Sequence, residues 1–396
     1  MTSFELDSSF DFDRLRRYPD IEAANLFAAD ATDRLLLDEA APALAQAPAG
    51  SVVLVNDHYG ALTLGAAARH GLDRLRVHQD PLSGELALAG NAERLGLTGR
   101  YRQLPLAAEL FAAAEPSEAA ELYGAAEVVL IQAPKSIDAL RETAELIARH
   151  AASGVTVYLG GRVKHLSLSM NEVLRASFGQ VQAGLARQKS RVITAREPHP
   201  DPAGSSFPKR EHLREADLWV CAHGAVFAGA KLDLGTRQLL ASLDRMAPGV
   251  GTGGTAIDLG CGTGILAAAL AKARPELQVI ATDESAAAVA SARATMLANG
   301  VADRVGVRRE DAMSGLADAS ADLIVCNPPF HVGATVNPAV AHKLFRAAGR
   351  VLRPGGQLWV VYNSHLDHQR SLERFIGSTR QAHRDPKFTV TVSTRR

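Results

Sequence analysis

Landmarks in the first half of this chain return in the second half at a shift of about 195 to 204 positions. Gly60 is answered by Gly264, Asp80 by Asp283, Gln132 by Asn327 and Gly154 by Gly356. A shared shift across four landmarks points to an internal duplication of one folding unit. Within each copy, apolar runs of strand length alternate with longer helical stretches. In the first copy the strands read as 51–55, 75–80, 127–131 and 154–159. In the second they read as 255–259, 278–283, 304–308, 322–326 and 357–362. Strands that alternate with helices call for a parallel, doubly wound sheet. The expected fold class is therefore α/β, with two such domains in tandem.

A length of 396 residues leaves room for two or three domains. The boundary reads from composition: Pro198, Pro200, Pro202 and Pro208 crowd one stretch together with Gly204. The expected division is a first domain over 1–196, a linker over 197–212 and a second domain over 213–396. Residues 1 to about 50 read as amphipathic helix after a loose start, and 231–246 as a helix ahead of the second sheet.

Lysine plus arginine balances aspartate plus glutamate at 43 each. A neutral chain has no global basic field, so any nucleic-acid contact must come from local patches. Arg187, Lys189, Arg191 and Arg196 form one basic segment. Arg384, Lys387, Arg395 and Arg396 form another near the end. These are candidate phosphate contacts, and plain solubility explains each one taken singly. The three cysteines, Cys221, Cys261 and Cys326, form no Cys-x-x-Cys pair. That argues against a disulfide frame and a structural zinc site. His365 and His368, with Asp367 between them, lie in a polar stretch and read as surface histidines, so no metal is expected. The start of the chain is acidic and lacks a basic-then-apolar leader, and no apolar run reaches about eighteen residues. A cytoplasmic location, no membrane contact and a monomer are the expectations.

The copies differ in their turns. After its first strand the second copy has Asp258-Leu259-Gly260-Cys261-Gly262-Thr263-Gly264, where the first has Leu54-Val55-Asn56-Asp57-His58-Tyr59-Gly60. Bare glycines ahead of a helix let a polar ligand reach backbone amides. Asp283 follows at the end of the next strand, placed to accept two ribose hydroxyls. Asp258 reads as standing at the mouth of the site, where it would repel phosphate and suit an ammonium group. That favours S-adenosyl-L-methionine over a dinucleotide. Asp311, with the Ala312 backbone beside it, can accept from an adenine amino group, or it can be a turn-capping acid.

Downstream, 322–326 runs into Asn327-Pro328-Pro329-Phe330-His331. The prolines stop the strand and leave Asn327 at its carboxyl end, where open α/β sheets place ligands. Taken alone, this is also compatible with a proline-rich turn. As a site, the Asn327 side-chain oxygen and the Pro328 carbonyl can both accept from one NH2 group, and Phe330 can stack on a ring. His331 is a candidate RNA contact or a plain loop residue. In the first copy the slot holds Gln132-Ala133-Pro134-Lys135, without the aromatic ring, so that copy reads as a domain without catalysis.

Together the turn from Asp258 to Gly264 and the loop from Asn327 to Phe330 resemble class I S-adenosylmethionine-dependent methyltransferases that act on an amino or amide nitrogen. With a degenerate copy in front, the chain is similar to the two-domain bacterial ribosomal RNA guanine-N2 methyltransferases, nearest to the 23S type. The likeness includes Leu15-Arg16-Arg17-Tyr18-Pro19, Ala133-Pro134-Lys135, Leu232-Asp233-Leu234-Gly235-Thr236-Arg237 and Pro386-Lys387-Phe388. It implies two tandem Rossmann-like methyltransferase domains and the cofactor S-adenosyl-L-methionine. The cofactor would be held by Asp258, Gly260, Gly262, Gly264, Asp283, Asp311, Ala312 and Asn327. It implies ribosomal RNA as partner, a cover over the cofactor from the segment around Phe227 to Arg237, and a first domain that assists folding or RNA binding. Other readings remain open: a 16S guanine-N2 enzyme, an N-methyltransferase for adenine N6 or a protein glutamine, and a non-catalytic RNA-binding assembly factor.

Overall fold

The computed structural model describes residues 10–106, 118–201, 204–247, 249–328, 331–332, 335–336 and 338–396. It divides into two compact units, Met1–Phe207 and Pro208–Arg396. The division falls inside the stretch read as a linker, and the part of that stretch ahead of it is tied to the first unit. A strand of the first unit continues to Pro198. Ser206 donates from its backbone N–H to Glu145 at 2.8 Å, and Arg149 donates to the Asp201 carbonyl at 2.6 Å.

The first unit has helices α1 (Ala31–Leu44), α2 (Ala61–His70), α3 (Leu82–Leu95), α4 (Glu118–Tyr123), α5 (Ile137–His150) and α6 (Leu168–Arg175). Its strands are β1 (Val52–Val55), β2 (Leu75–His78), β3 (Tyr101–Gln103), β4 (Val128–Gln132), β5 (Thr156–Arg162), β6 (Phe178–Ala183) and β7 (Ser190–Pro198). They form one sheet in the order β3-β2-β1-β4-β5-β7-β6. All four residues of β1 are buried, as a central parallel strand covered on both faces requires.

The second unit opens with a hairpin of β8 (Lys209–Leu213) and β9 (Leu218–Ala222). Helices α7 (Leu234–Leu240), α8 (Ile265–Ala273), α9 (Ala286–Ala298), α10 (Pro338–Val351) and α11 (Gln369–Phe375) follow. The remaining strands are β10 (Thr255–Leu259), β11 (Gln278–Asp283), β12 (Val305–Arg309), β13 (Ala321–Cys326), β14 (His331–Val332), β15 (Thr335–Val336), β16 (Leu352–Asn363), β17 (Thr379–Arg384) and β18 (Phe388–Thr394). The large sheet runs β12-β11-β10-β13-β16-β18-β17, the same order as the first. Successive residues of each central strand enter opposite cores. Leu323 and Val325 pack on one face of the sheet, and Ile324 and Cys326 on the other.

Strand pairing gives the correspondence between the copies residue by residue. Val55 pairs with His78 and Ile131, and Leu259 pairs with Thr282 and Cys326. Gln132 therefore answers Asn327, as the sequence suggests. The counterpart of Asp283, however, is Gln79 and not Asp80. Counting to the nearest acid overshoots by one residue, whereas register is set by ladder hydrogen bonds. Likewise Tyr158 pairs with Leu130 as Trp359 pairs with Val325, which puts Gly355 rather than Gly356 in the place of Gly154. The helix expected over 231–246 is shorter. Asp233 caps α7, which ends at Leu240, and a separate 3-10 turn follows at Leu243–Arg245.

Gly264 caps α8 at φ +78°, and a Cβ there would lie 2.6 Å from Met296 Cε and 3.0 Å from Ala292 Cβ. Gly300, at φ +66°, faces open space. We predict that Gly264→Ala destabilises the second unit by about 2–3 kcal/mol, combining left-handed strain with crowding. Gly300→Ala should cost about 1 kcal/mol, from backbone alone. Urea unfolding of both variants checks this, and equal losses would contradict the packing account.

Candidate functional site

The turn after β10 passes Gly260, Gly262 and Gly264 through left-handed conformations, at φ 74°, 53° and 78°. The Gly260 and Cys261 N–H groups donate to the Thr282 carbonyl at 2.8 and 3.0 Å. The Gly262 N–H donates to Asp283 Oδ2 at 2.9 Å. A Cβ at Gly260 or Gly262 would meet nothing within 4 Å. These two glycines are bare toward open space, whereas Gly264 is bare because α9 packs against it.

Asp258 lies beneath this turn and not at its mouth as expected. It sits on β10 at 1% exposure, and its Oδ2 accepts from the Ala267 N–H of α8 at 3.0 Å. A strand residue facing the following helix is drawn into the unsatisfied amides of that helix's first turns. Its Oδ1 has no hydrogen-bond partner among the described residues. Burial pushes its carboxyl up to about 7; the Ala267 bond opposes the rise and nearby Asp283 adds to it. Burial likewise raises the thiols of Cys261 and Cys326, with Asp258 and Asp283 adding to both.

Asp283 ends β11, with Oδ2 on the Gly262 N–H and Oδ1 accepting from the Ser285 N–H at 3.0 Å. The carboxylate is thus held between the glycine turn and the start of α9. Asp311 is held by a residue that sequence reasoning missed: Lys343 Nζ lies 2.6 Å from both of its oxygens. Ala312 and Met313 then take left-handed conformations, at φ 49° and 57°. Such strain persists only where surroundings over-determine it. Here Met313 is fully buried, and Arg350 donates to the Met313 and Leu316 carbonyls at 2.7 and 2.6 Å.

Asn327 follows β13 and is half-buried, and Pro328 is buried. The Asn327 amide donates from Nδ2 to Asp233 Oδ1 and to Thr236 Oγ1, both at 3.1 Å. The capping bond of Asp233 is local, of a kind that sequence can carry. Its bond to an amide 94 residues away is not. Pro329 and Phe330 lie outside the described residues. So does the side chain of His331, whose backbone belongs to β14.

The first unit keeps the same turn and fills it. Asn56 and His58 stand where Gly260 and Gly262 do, both at φ 60°, and Gly60 matches Gly264 at φ 97°. The Asn56 side chain reaches across to donate to the Gln132 carbonyl at 3.3 Å. Asp57 turns inward at 1% exposure and accepts from the Leu62 and Thr63 N–H groups at 2.6 and 2.8 Å. Burial pushes its carboxyl up to about 6. Tyr59 donates to Asp20 at 2.5 Å, and the Arg17 guanidinium lies 4.5 Å from its ring centroid.

Among the proposed RNA contacts, Arg187 Nη2 lies 3.7 Å from Asp38 and 3.5 Å from Glu39. It sits in the hairpin turn ahead of β7. Lys189 is exposed and Arg191 half-buried. Among the described residues no group of three or more histidine, cysteine, aspartate or glutamate side chains could hold a metal ion. No helix there is long and apolar enough to cross a membrane.

The second unit fits S-adenosyl-L-methionine. Two glycines open onto free space, an unpartnered carboxylate oxygen lies beneath them, and Asp283 and Asp311 sit at successive strand ends. A family model described as the methyltransferase small domain matches residues 217–392. One described as the RLMG N-terminal domain matches residues 2–199. The chain is similar to the ribosomal RNA large subunit methyltransferase G of Streptomyces coelicolor, at 35% identity over 386 residues, covering 95% of this chain and 96% of that one. The protein of the same name from Pseudomonas aeruginosa strain PAO1 is 34% identical over 379 residues, with 95% and 96% covered. Among solved structures, the T. thermophilus 16S rRNA N2 G1207 methyltransferase in complex with AdoMet and guanosine matches with a TM-score of 0.71. At 23% identity, over 93% of this chain and 92% of that one, this is a likeness of fold.

The buried carboxyl of Asp258 carries a pH signature. With its folded value raised to about 7, the folded state holds a proton between about pH 4 and 7 that the unfolded state releases. Stability from this group is therefore present at low pH and lost as pH rises through 7. Asp258→Asn keeps an acceptor for Ala267 and cannot ionise. We predict that the ligand-free wild type loses on the order of 2 kcal/mol more stability than the variant between pH 5 and 8. The comparison cancels the two carboxyls of the first unit that burial raises, Asp33 to about 8 and Asp57 to about 6. Urea unfolding at both pH values checks it, and parallel pH dependence would contradict it.

Proposed function

This chain belongs to the ribosomal RNA large subunit methyltransferase G family, and from that premise we propose that its second unit transfers a methyl group from S-adenosyl-L-methionine to the exocyclic N2 of a guanine in 23S ribosomal RNA. The observation that carries this reading is Asn327. It stands at the carboxyl end of β13, beside an open glycine turn, with both amide hydrogens engaged by protein. An amide held that way offers its oxygen, which accepts from an NH2 group and gives nothing to a carbonyl.

When bound, the cofactor supplies a methyl group already activated on a sulfonium. The remaining work is alignment. Gly260 and Gly262 would admit the ligand to the backbone, and Asp283 would accept the ribose hydroxyls. Asp311 and the Ala312 backbone would take the adenine edge. The unpartnered Oδ1 of Asp258 would lie on the side of the cationic methionine group. Asn327 and the Pro328 carbonyl would accept the two hydrogens of the guanine amino group and fix its plane, and Phe330 would stack on the base. These bonds hold the nitrogen lone pair toward the methyl group, against its delocalisation into the ring. Once methylated, the nitrogen would be cationic and would release a proton to water, so no strong base is required. A paired base cannot reach such a site, so the guanine is flipped or single-stranded.

The first unit we read as a non-catalytic domain, because Asn56, His58 and Asp57 occupy what Gly260, Gly262 and open space provide in the second. Its exposed basic residues, Lys189 and Arg196 among them, suit phosphate contacts on the RNA. Guanine is preferred over adenine from the family resemblance, since both bases present an amino group.

Nucleoside mass spectrometry on ribosomal RNA from cells lacking the gene, before and after incubation with the enzyme and S-adenosyl-L-methionine, tests the reading. We expect N2-methylguanosine to be missing from 23S RNA and restored by the enzyme on protein-free RNA. Restoration in 16S RNA would move the substrate to the small subunit, and N6-methyladenosine would overturn the base assignment.

A further inference from the structure

We propose that Asp233 and Thr236 are positioning residues that hold the Asn327 amide in one of its two flipped orientations, so that the site accepts an amino group and rejects a carbonyl. The inference rests on the reading of Asn327 as the acceptor for the substrate nitrogen. It adds what makes that asparagine an acceptor and not a donor.

An asparagine side chain is nearly symmetric in shape and opposite in chemistry at its two ends. Left alone, it can turn either the oxygen or the NH2 group toward a ligand. The first turn of α7 removes that choice. Asp233 caps the helix, its Oδ1 accepting from the Gly235 and Thr236 N–H groups at 2.8 and 3.2 Å. The same oxygen takes one hydrogen of Asn327 Nδ2, and Thr236 Oγ1 takes the other, both at 3.1 Å. A carboxylate can only accept, so the end of Asn327 that faces Asp233 must be the nitrogen. Gly235 lies between the two contacts, and a Cβ there would sit 3.0 Å from Asn327 Oδ1 and 3.2 Å from Nδ2. A side chain at 235 would therefore crowd the amide, and glycine leaves it room. Asp233 is half-buried and Thr236 is 8% exposed, so little water competes for these bonds.

The first unit supplies a comparison. Gln132, at the place of Asn327, donates from Nε2 to Asp33 Oδ1 of α1 at 2.5 Å. An aspartate in or capping the preceding helix thus holds an amide at this strand end in both units. In the first unit Asn56 closes the turn, so there the tie serves only to join helix to sheet. If the second tie did no more than the first, removing either would lower stability and leave methyl transfer alone.

The test uses the full chain with S-adenosyl-L-methionine and protein-free 23S RNA. Thr236→Val keeps the side-chain shape and removes one acceptor, and Thr236→Ser restores it. Asp233→Asn keeps a capping oxygen and lets position 233 donate. Gln132→Ala reports the cost of a purely structural tie. We expect Thr236→Val and Asp233→Asn to lower kcat by about 10- to 100-fold, the scale of a small misplacement of a reacting group. The KM and Kd for S-adenosyl-L-methionine should stay within about 3-fold of wild type, and Thr236→Ser should recover most of the rate. Gln132→Ala should lower the melting temperature with kcat unchanged. Unchanged kcat in both Thr236→Val and Asp233→Asn would overturn the proposal, as would rate losses that Thr236→Ser does not relieve. Asn327→Ala separates this from the underlying reading. If Asn327→Ala transfers methyl groups at the wild-type rate, Asn327 is not the acceptor and the reading itself fails. If it loses activity while the Asp233 and Thr236 variants keep theirs, only the positioning role fails.

Discussion

The turn between the first strand of each sheet and its helix must pass three residues through left-handed backbone, and it must satisfy the amides that open the helix. Those two demands shape everything near the site. Left-handed backbone is cheap for glycine and tolerable for asparagine, so the same path can be built from Gly260 and Gly262 or from Asn56 and His58. The amides can be met by a carboxylate from the strand below, as Asp258 does, or from within the turn, as Asp57 does. With the carboxylate below and glycines above, the turn stays open. With the carboxylate inside and side chains above, it closes on itself.

That choice separates the histories of the two copies. The closed turn of the first unit has become a docking point for its own chain: Arg17 stacks on Tyr59, and Tyr59 bonds Asp20. The open turn of the second unit carries the cost of a buried carboxyl whose Oδ1 has no partner among the described residues. A cost of that kind is retained where a ligand offsets it. The strained backbone at Ala312 and Met313, held by Arg350, follows β12 at the same carboxyl end of the strands. The candidate site thus lies where local rules are broken, as expected of a site set on an otherwise consistent fold.

Much of this was legible in the sequence. The duplicated order of strands and helices, the glycine turn, Asp283 and the strand running into Asn327 are all local patterns, and local patterns survive without coordinates. What escaped was non-local. The tie from Asp233 and Thr236 to Asn327 joins segments far apart in the chain. The Lys343 partner of Asp311 lies on a helix whose sequence gives no sign of it. The burial of Asp258 was misjudged because strand alternation places a side chain on a face without saying what covers that face. The equivalence of Asp80 and Asp283 failed by one residue, since a match of residue type cannot replace a ladder register.

One path of backbone has been kept open in the second unit and closed in the first. Calorimetric titration of S-adenosyl-L-methionine into the full chain tests it most directly. One binding site per chain, abolished when Gly260 and Gly262 are replaced by the asparagine and histidine of the first copy, is the predicted result. Two sites per chain, or a single site that survives those replacements, would contradict it.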